Sequence, residues 1–526
     1  MSEITPKLLW EYVAYWAQRK PDAEALVFED VRMSWREFEV AVDKTARAFL
    51  DAGLQKGDRV AMVSMGRPEF MISFMAAARI GATWLGLSPK FTTDELRYII
   101  GHSQPTLLIT LREYMGIDLV EAGQTFAQEF PCINRVLVIG EHHADTEPYQ
   151  AFVDQPRPEL DSALAERSES VSDTDEVLLM YTSGSTGRPK GVLQSHRAII
   201  ENIRAELNHF GIGEDGRLLL HFPINHVAAD VEIGYGAVMG GSTLVFMDRF
   251  DPQASLELIE RERITMVGQV PVMFLMQMQA PKFKDMDWSN VKYFIWGGAG
   301  VPKLVLTVLR QIAAKTGAKL LTGYGSTELC GFVTYTSADD NEERMERSVG
   351  KVVPPFEMKI VDEDRKEVPT GTLGELAFRG AIVMKGYLND PKNTRKVLDA
   401  DGWYYTSDLG RVDEEGYIYL SGRSSEMYKT GGENVFPREI EEVMESHPAV
   451  LFAAVIGVTD ELYQEVGHGF VMLKPGQEVE SETLRSHCKA HLANFKVPKK
   501  FTIRKELPLL PNGKVNKMAL RASLED

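Results

Sequence analysis

The sequence predicts an α/β protein in two parts, a large N-terminal body of alternating strands and helices and a small α+β domain that begins near Gly422-Arg423. Three observations predict it. The chain has 526 residues, more than one ordinary core accommodates. Strand-like and helical segments alternate from the start, the mark of βαβ units around a mostly parallel sheet. Beyond about residue 350 the texture changes to short, turn-punctuated strands, and the last hundred residues return to mixed character.

In chain order, "EALVFED" predicts a strand and "SWREFEVAVDKTARAFLDAGL" a helix, opened by a capping box of Ser34 and Glu37. "DRVAMVS" is strand-like, and "PEFMISFMAAARIGA" is a buried helix. Thr92 with Glu95 forms a second capping box. The same rhythm runs through "TLLIT", "VLVIG", "STLVFM", "TMVGQV" and "YFIWGG". "MKIVDEDRKEVPTGTLGELAFRG" and "GWYYTSDLGRVDEEGYIYLSGR" are hairpins. Finally "PREIEEVMESHP" is helical, "VLFAAVIGV" and "GHGFVML" are strands, and "SETLRSHCKAHLA" is helical.

Composition narrows the function classes. Hydrophobic residues are 44% and charged residues 25% of the chain, which is globular and neither disordered nor fibrous. The N-terminus lacks a basic segment followed by an apolar run, so no secretory signal is expected. The longest apolar stretch, 70–87, contains Arg79 and several small residues, and is read as a buried helix and not a membrane span. Cys132, Cys330 and Cys488 form no CxxC pair, which fits a reducing, cytoplasmic setting. A net charge of -18 argues against nucleic acid or anionic lipid as partner. From Lys489 to Arg521, however, there are nine Lys or Arg against the single acid Glu506, a run that asks for an anionic ligand or an acidic neighbouring surface unless it is only a solvated face.

The segment "YTSGSTGRPKGV" (181–192) lies between the strand-like "DEVLLM" and the helical "QSHRAIIENIRAEL". Gly184 and Gly187 let backbone N–H groups approach a ligand. Thr182, Ser183, Ser185 and Thr186 add hydroxyls, and Lys190 adds a charge. Such a nest suits phosphate oxygens. It is not a Walker A loop, since Lys190 is preceded by Pro189 and followed by Gly191.

This loop resembles the signature of the adenylate-forming superfamily of acyl-CoA synthetases, adenylation domains and luciferase. Further blocks follow in that family's order: "GYGSTE", "GELAFRG", "YTSDLG", "GRSSEMYKTGGENVFPREIE" and "LPLLPNGKVNK". The resemblance covers essentially the whole chain, which is similar to acyl- and aryl-CoA ligases of the coumarate and chlorobenzoate type. It implies packed αβ layers plus a small β-barrel over residues 1–422, hinged near Ser425 to a mobile domain over residues 423–526. The implied chemistry has two half-reactions: a carboxylate attacks the α-phosphate of ATP, giving acyl-AMP and pyrophosphate, and the thiol of coenzyme A then displaces AMP.

The resemblance also implies roles. The loop from Thr182 to Lys190 would hold the β- and γ-phosphates, with Thr186 and Lys190 acting catalytically. The nucleotide site would take in Thr322, Gly323, Tyr324 and Gly325. Thr327 would bond the α-phosphate and Glu328 would ligate Mg²⁺, a hard cation suited to carboxylate oxygen. Tyr324 would lie against adenine, with Gly298 and Ala299 as the other wall. Asp408 would accept the ribose hydroxyls, with Arg423 beside it, and Ser407 stands where the family usually has glycine. Lys514 would bridge carboxylate and α-phosphate, which gives the basic stretch a purpose. After rotation about the hinge, Lys429 would approach the AMP phosphate, and Gly431 and Gly432 would line a thiol tunnel.

For the acyl pocket, the same resemblance points to His226, Val227, Gly297 and Gly323. At the position of His226 acyl- and aryl-CoA ligases carry an aromatic residue or His, whereas amino-acid-activating domains use an Asp nearby to hold an α-amine, so His226 favours a carboxylate without one. If the segment after His226 is α-helical, Asp230 shares its face and either enters the pocket or pairs elsewhere; Glu232 lies off that face. Trp296 precedes "GGAG" and would shorten the pocket, so a small-to-medium or aromatic acid is expected. Cys330 borders the pocket or packs in the core. The alternatives are an adenylate-only or carrier-loading enzyme, against which no carrier domain follows Lys514, and a non-catalytic nucleotide-binding regulator. A homodimer is left open.

Overall fold

The computed structural model describes residues 6–140, 146–182, 188–424, 426–509 and 515–524. Two large sheets dominate the N-terminal part. One has nine strands in the spatial order 351–352, 331–335, 319–326, 293–296, 266–269, 217–220, 243–246, 24–28 and 31–34. The other has eight, in the order 386–387, 190–195, 176–182, 83–87, 59–63, 107–111, 135–139 and 147–148. Parallel pairs fill the middle of each sheet; antiparallel pairs lie at both ends of the nine-stranded sheet and at one end of the eight-stranded sheet, whose other end, 135–139 with 147–148, is parallel.

Strand alternation builds the layers. In Arg59–Val63, Val60 and Met62 point into the central core while Ala61 and Val63 point to an outer one. The central core, between the sheets, holds the helices Glu11–Arg19, Trp35–Asp51, Pro68–Arg79 and His196–Phe210. The outer layer on the eight-stranded sheet holds Thr93–Ser103 and Leu119–Glu129. The outer layer on the nine-stranded sheet holds Pro252–Arg261, Pro271–Gln279 and Lys303–Thr316. The capping boxes are as expected: Ser34 and Thr92 each accept the N–H three residues on, and Glu37 and Glu95 reach back to the cap N–H. The apolar stretch 70–87 divides into the buried helix Pro68–Arg79 and the buried strand Thr83–Leu87. No helix among the described residues is long and apolar enough to cross a membrane.

The hairpin region forms an antiparallel sheet of four strands, Glu357–Val361, Gly374–Arg379, Tyr404–Val412 and Ile418–Arg423. The expected small β-barrel is corrected here: among the described residues the sheet is open, since its first and last strands do not pair and four short strands are too few to close on themselves. Its inner face packs Phe378 and Ile418 against Tyr324, Val333 and Tyr387. The last sheet is built on the long hairpin Val450–Asp460 and Gln464–Leu473, joined by Lys500–Arg504 in parallel and by Tyr428–Thr430 and Glu433–Val435. The helices Pro437–Glu445 and Ser481–His491 cover it. Leu451, with Phe452 and Met472, joins the outer core of the nine-stranded sheet, so the two parts of the chain are in apolar contact.

Candidate functional site

Strand Glu176–Thr182 pairs antiparallel with Lys190–Ser195, with Thr182 opposite Lys190. Ser183, Gly184, Ser185, Thr186 and Gly187, which join these strands, lie outside the described residues. Gly386–Tyr387 adds to the same edge, with Tyr387 paired to Val192. Lys190 Nζ lies 5.0 Å from the centroid of the Tyr387 ring. The Tyr387 hydroxyl donates to Glu328 Oε1 at 3.0 Å. Burial first, and then the Glu328 charge, push that phenol far above its ordinary range, so it stays a donor. Glu328 sits on the turn Thr327–Leu329 after strand Lys319–Ser326, and buried Gln194 fixes this turn by donating to the Thr327 carbonyl at 2.8 Å.

Asp408 and Arg423 are partners across the antiparallel pair of Tyr404–Val412 and Ile418–Arg423. Arg423 Nε donates to Asp408 Oδ1 at 3.0 Å, and the Tyr324 hydroxyl donates to Oδ2 at 2.5 Å. A carboxylate oxygen carries two lone pairs, so each oxygen keeps one for another donor. Burial and the facing Asp408 charge hold the Tyr324 phenol protonated, while the same Asp408 charge raises the Arg423 guanidinium further. Ser407 has φ +64°, a left-handed conformation that glycine takes without strain, and its N–H donates to Glu375 Oε1 at 2.6 Å. Tyr324 stacks one ring face on Phe378 at 5.8 Å. Gly298 and Ala299 are exposed. Thr322 is buried and donates its hydroxyl to the Trp296 carbonyl at 2.8 Å, tying adjacent strands.

On the acyl side two expectations are corrected. Trp296 turns away from the proposed pocket: in strand Tyr293–Trp296 the even residues Phe294 and Trp296 enter the outer core with Val305 and Leu306, while Ile295 enters the central core. A one-residue change of parity reverses the face, and the motif alone does not fix parity. The segment after His226 is also not a plain α-helix. Ala228–Tyr235 is a π-helix, but the turn that leads into it is α-type, with the Asp230 N–H donating to the His226 carbonyl at 3.1 Å, so the i, i+4 spacing of these two residues holds. His226 is half-buried, stacks on Phe222 at 6.2 Å and accepts the Ala228 N–H through Nδ1. Asp230 is fully buried, and burial raises its proton affinity, an effect that the Trp84 indole beside it opposes.

Val227 is buried, and Cys330 is fully buried in the central core. The sequence reading missed Phe332. Its ring lies against Gly297 and Gly323, where a Cβ on Gly297 would come within 2.6 Å of Cε1 and one on Gly323 within 3.3 Å of Cγ. The only available signal was its distance from "GYGSTE". Tyr387, also missed, had none, because its relation to Glu328 is purely spatial.

In the last domain, Ser425 and Lys514 lie outside the described residues. Gly431 and Gly432 form the exposed turn between Tyr428–Thr430 and Glu433–Val435, and Lys429 is exposed on the first of these strands. The Lys429 N–H donates to Glu465 and the Gly431 N–H to the Tyr463 carbonyl, which hold the turn within its own domain. Lys517 pairs with Glu426 at 2.7 Å and Glu441 at 2.8 Å, tying the final helix Lys517–Ala522 to the residue after the expected hinge. Arg438 packs tightly on Gly300 of the "GGAG" turn, a second contact between the two parts.

Comparison with known proteins completes the site. The model of the AMP-binding enzymes matches residues 13–388, and that of the AMP-binding enzyme C-terminal domain matches residues 439–514. A putative acyl-CoA synthetase, YngI of Bacillus subtilis, is 32% identical, with 99% of this chain and 98% of the relative covered. The mitochondrial medium-chain acyl-CoA ligase ACSF2 of Homo sapiens is 30% identical over 97% of this chain and 86% of its own. Among solved structures, a fatty acyl CoA synthetase of Mycobacterium tuberculosis is 29% identical with TM-score 0.73, covering 98% of both chains. The anthranilate CoA ligase AuaEII, solved with anthranoyl-AMP, has TM-score 0.88 at 23% identity, covering 99% of this chain and 98% of that one, a likeness of fold.

Proposed function

Because the chain belongs to the AMP-binding enzyme family and is an ATP-dependent acid:CoA ligase working through an acyl-adenylate, we propose that it activates a small-to-medium or aromatic carboxylic acid in the cleft bounded by Lys190, Glu328, Asp408 and Phe332. The observation that carries this is the convergence of distant segments. Lys190, Tyr387 and Glu328 form one chain of contacts, and Tyr324, Asp408 and Arg423 form another.

An anionic carboxylate must reach an anionic triphosphate, so fixed cations and donors have to offset their repulsion. Lys190 and the loop 183–187 take the β- and γ-phosphates, and Thr327 takes the α-phosphate. Asp408 offers its remaining lone pairs to the two ribose hydroxyls. Glu328 fits Mg²⁺: its carboxylate is a hard donor, and the Tyr387 hydroxyl fixes Oε1 while leaving Oε2 free of that bond. When bound, the ion supplies charge neutralisation at the triphosphate. Lys514 bridges the attacking carboxylate and the α-phosphate as the P–O bond to pyrophosphate breaks. The domain beginning at residue 423 then turns about Ser425, bringing Lys429, Gly431 and Gly432 to the cleft for the thiol, whose sulfur bonds the acyl carbon as AMP leaves.

The acid is placed against His226, Val227, Gly297 and Gly323. With Trp296 in the outer core, Phe332 becomes the wall that limits its length. Free thiols at all three cysteines fit a cytoplasmic setting. The test is AMP release over a panel of carboxylates with and without CoA. CoA-dependent turnover with short and aromatic acids is expected; CoA-independent accumulation of acyl-AMP would overturn the ligase assignment, and preference for long-chain acids would overturn the substrate class.

A further inference from the structure

Phe332 is held in an unusual way. It lies beside a bulge in the pairing of Lys319–Ser326 with Gly331–Tyr335, where the register shifts between Tyr324 and Gly325. There both backbone hydrogen-bonding groups of Phe332 are taken by side chains. Its N–H donates to Glu232 Oε1 at 3.0 Å, and its carbonyl accepts from Asn202 Nδ2 at 2.8 Å and from the Tyr335 hydroxyl at 3.2 Å. Glu232 comes from the π-helix Ala228–Tyr235, and Asn202 is fully buried on the helix His196–Phe210.

Gly331 makes room for both. At φ +125° it occupies a region closed to other residues, and a Cβ there would lie 3.1 Å from Asn202 Oδ1 and from Glu232 Oε1. Burying an amide and half-burying a carboxylate is costly unless they make bonds that matter to the fold or the site. The reacting groups do not need these two, and what they touch is the residue whose ring covers Gly297 and Gly323.

We propose that Glu232 and Asn202 are positioning residues for the acyl pocket: they clamp the backbone of Phe332 from two sides and so set how far its ring closes over Gly297 and Gly323. The proposal rests on the assignment of Gly297 and Gly323 to the acyl pocket. Substrate selectivity is thereby set one step behind the residue that touches the acid, on two separate helices. Glu206 stands behind the clamp, fully buried, with Oε2 unpartnered and its proton affinity raised by burial and by the Glu232 charge.

The test compares KM for acid, KM for ATP and kcat with acetate, hexanoate, decanoate and benzoate as probe acids. Glu232→Leu and Asn202→Leu should each raise KM for the best of these acids about tenfold and flatten the preference among them, with KM for ATP within about twofold. Glu232→Gln keeps an oxygen to accept the Phe332 N–H and should stay within about threefold of the parent. Phe332→Ala should shift the preference toward longer acids whatever the clamp does. If Phe332→Ala shifts preference while both Leu variants leave it unchanged, the clamp is overturned and the pocket stands. If Phe332→Ala changes nothing, the pocket assignment itself fails. Should the Leu variants not fold, Asn202→Asp against Glu232→Gln decides: only the former loses its donor to Phe332, and equal, parental acid KM values in both overturn the proposal.

Discussion

Asp408→Asn perturbs the site at a single atom. In the structure Oδ2 receives the Tyr324 hydroxyl and Oδ1 receives Arg423 Nε, leaving one lone pair on each for ribose. Asparagine keeps one acceptor oxygen, which Tyr324 holds, and turns a donor NH₂ toward Arg423 and one ribose hydroxyl. A hydrogen bond to a charged group is worth about 1.5–3 kcal/mol, and leaving a donor unpaired adds to its loss. One bond lost and one weakened amount to about 3 kcal/mol, on the order of 100-fold in KM for ATP. Stability should change much less, because the Arg423 side chain is 47% exposed and its ion pair is screened by solvent. The assay is pyrophosphate exchange, with KM measured for ATP, for 2′-deoxy-ATP and for acid. The parent should prefer ATP to its deoxy analogue and the variant should lose that preference, while KM for acid stays put. A folded variant with KM for ATP within threefold, or with the deoxy penalty intact, would refute the ribose assignment.

Glu328→Gln should cut pyrophosphate exchange on the order of 100-fold with little change in melting temperature, and full activity at ordinary Mg²⁺ would exclude the ligand role. Ser407→Gly should stabilise the fold by about 0.5–1 kcal/mol, since relief of the left-handed φ outweighs the added freedom of the unfolded chain; an unchanged urea midpoint would show that the Glu375 bond already absorbs the strain. His196 and His221 are buried, and burial lowers both from 6.5 to about 3. The folded values lie below the unfolded ones, so their stability contribution is full above pH 6.5 and is lost as pH falls toward 3; at pH 5 each has given up about 2 kcal/mol. His196 Nδ1 accepts the Leu9 N–H at 3.2 Å, which requires that nitrogen to be unprotonated. The urea midpoint of His196→Asn should therefore fall less between pH 7 and pH 5 than that of the parent, and parallel falls would contradict the account.

Much of the fold was legible because its determinants are local. Ser34 with Glu37 and Thr92 with Glu95 announce helix starts through hydrogen bonds closed within four residues, and continuous apolar runs announce strands wherever both faces are buried. The strand after the Gly- and Ser-rich segment was not clear: "QSHRAIIENIRAEL" reads as helix from its first residue, whereas Lys190–Ser195 pairs antiparallel with Glu176–Thr182 and the helix starts only at His196. Facing was not legible. Trp296 is one residue from the pocket side of its strand, and only the hydrogen-bond register places it in the outer core. The π-helix after His226 was invisible as well, since its extra residue per turn answers to no propensity that the sequence displays.

The same contrast separates the chemistry from its selectivity. On the proposed assignment Lys190, Glu328 and Asp408 meet a triphosphate, a cation and a ribose that do not vary, so residue types recur at fixed places in motifs and can be read. The acyl wall has no such fixed partner. Its position depends on a bulge, a glycine at positive φ, a buried amide 130 residues distant from Phe332 in the chain and a half-buried carboxylate 100 residues distant. A single substitution at Asn202 or Glu232 therefore changes the pocket without altering any residue that lines it. Two chains with identical motifs and identical lining residues can differ in the acid they accept, and the difference has to be sought in how the backbone of Phe332 is held.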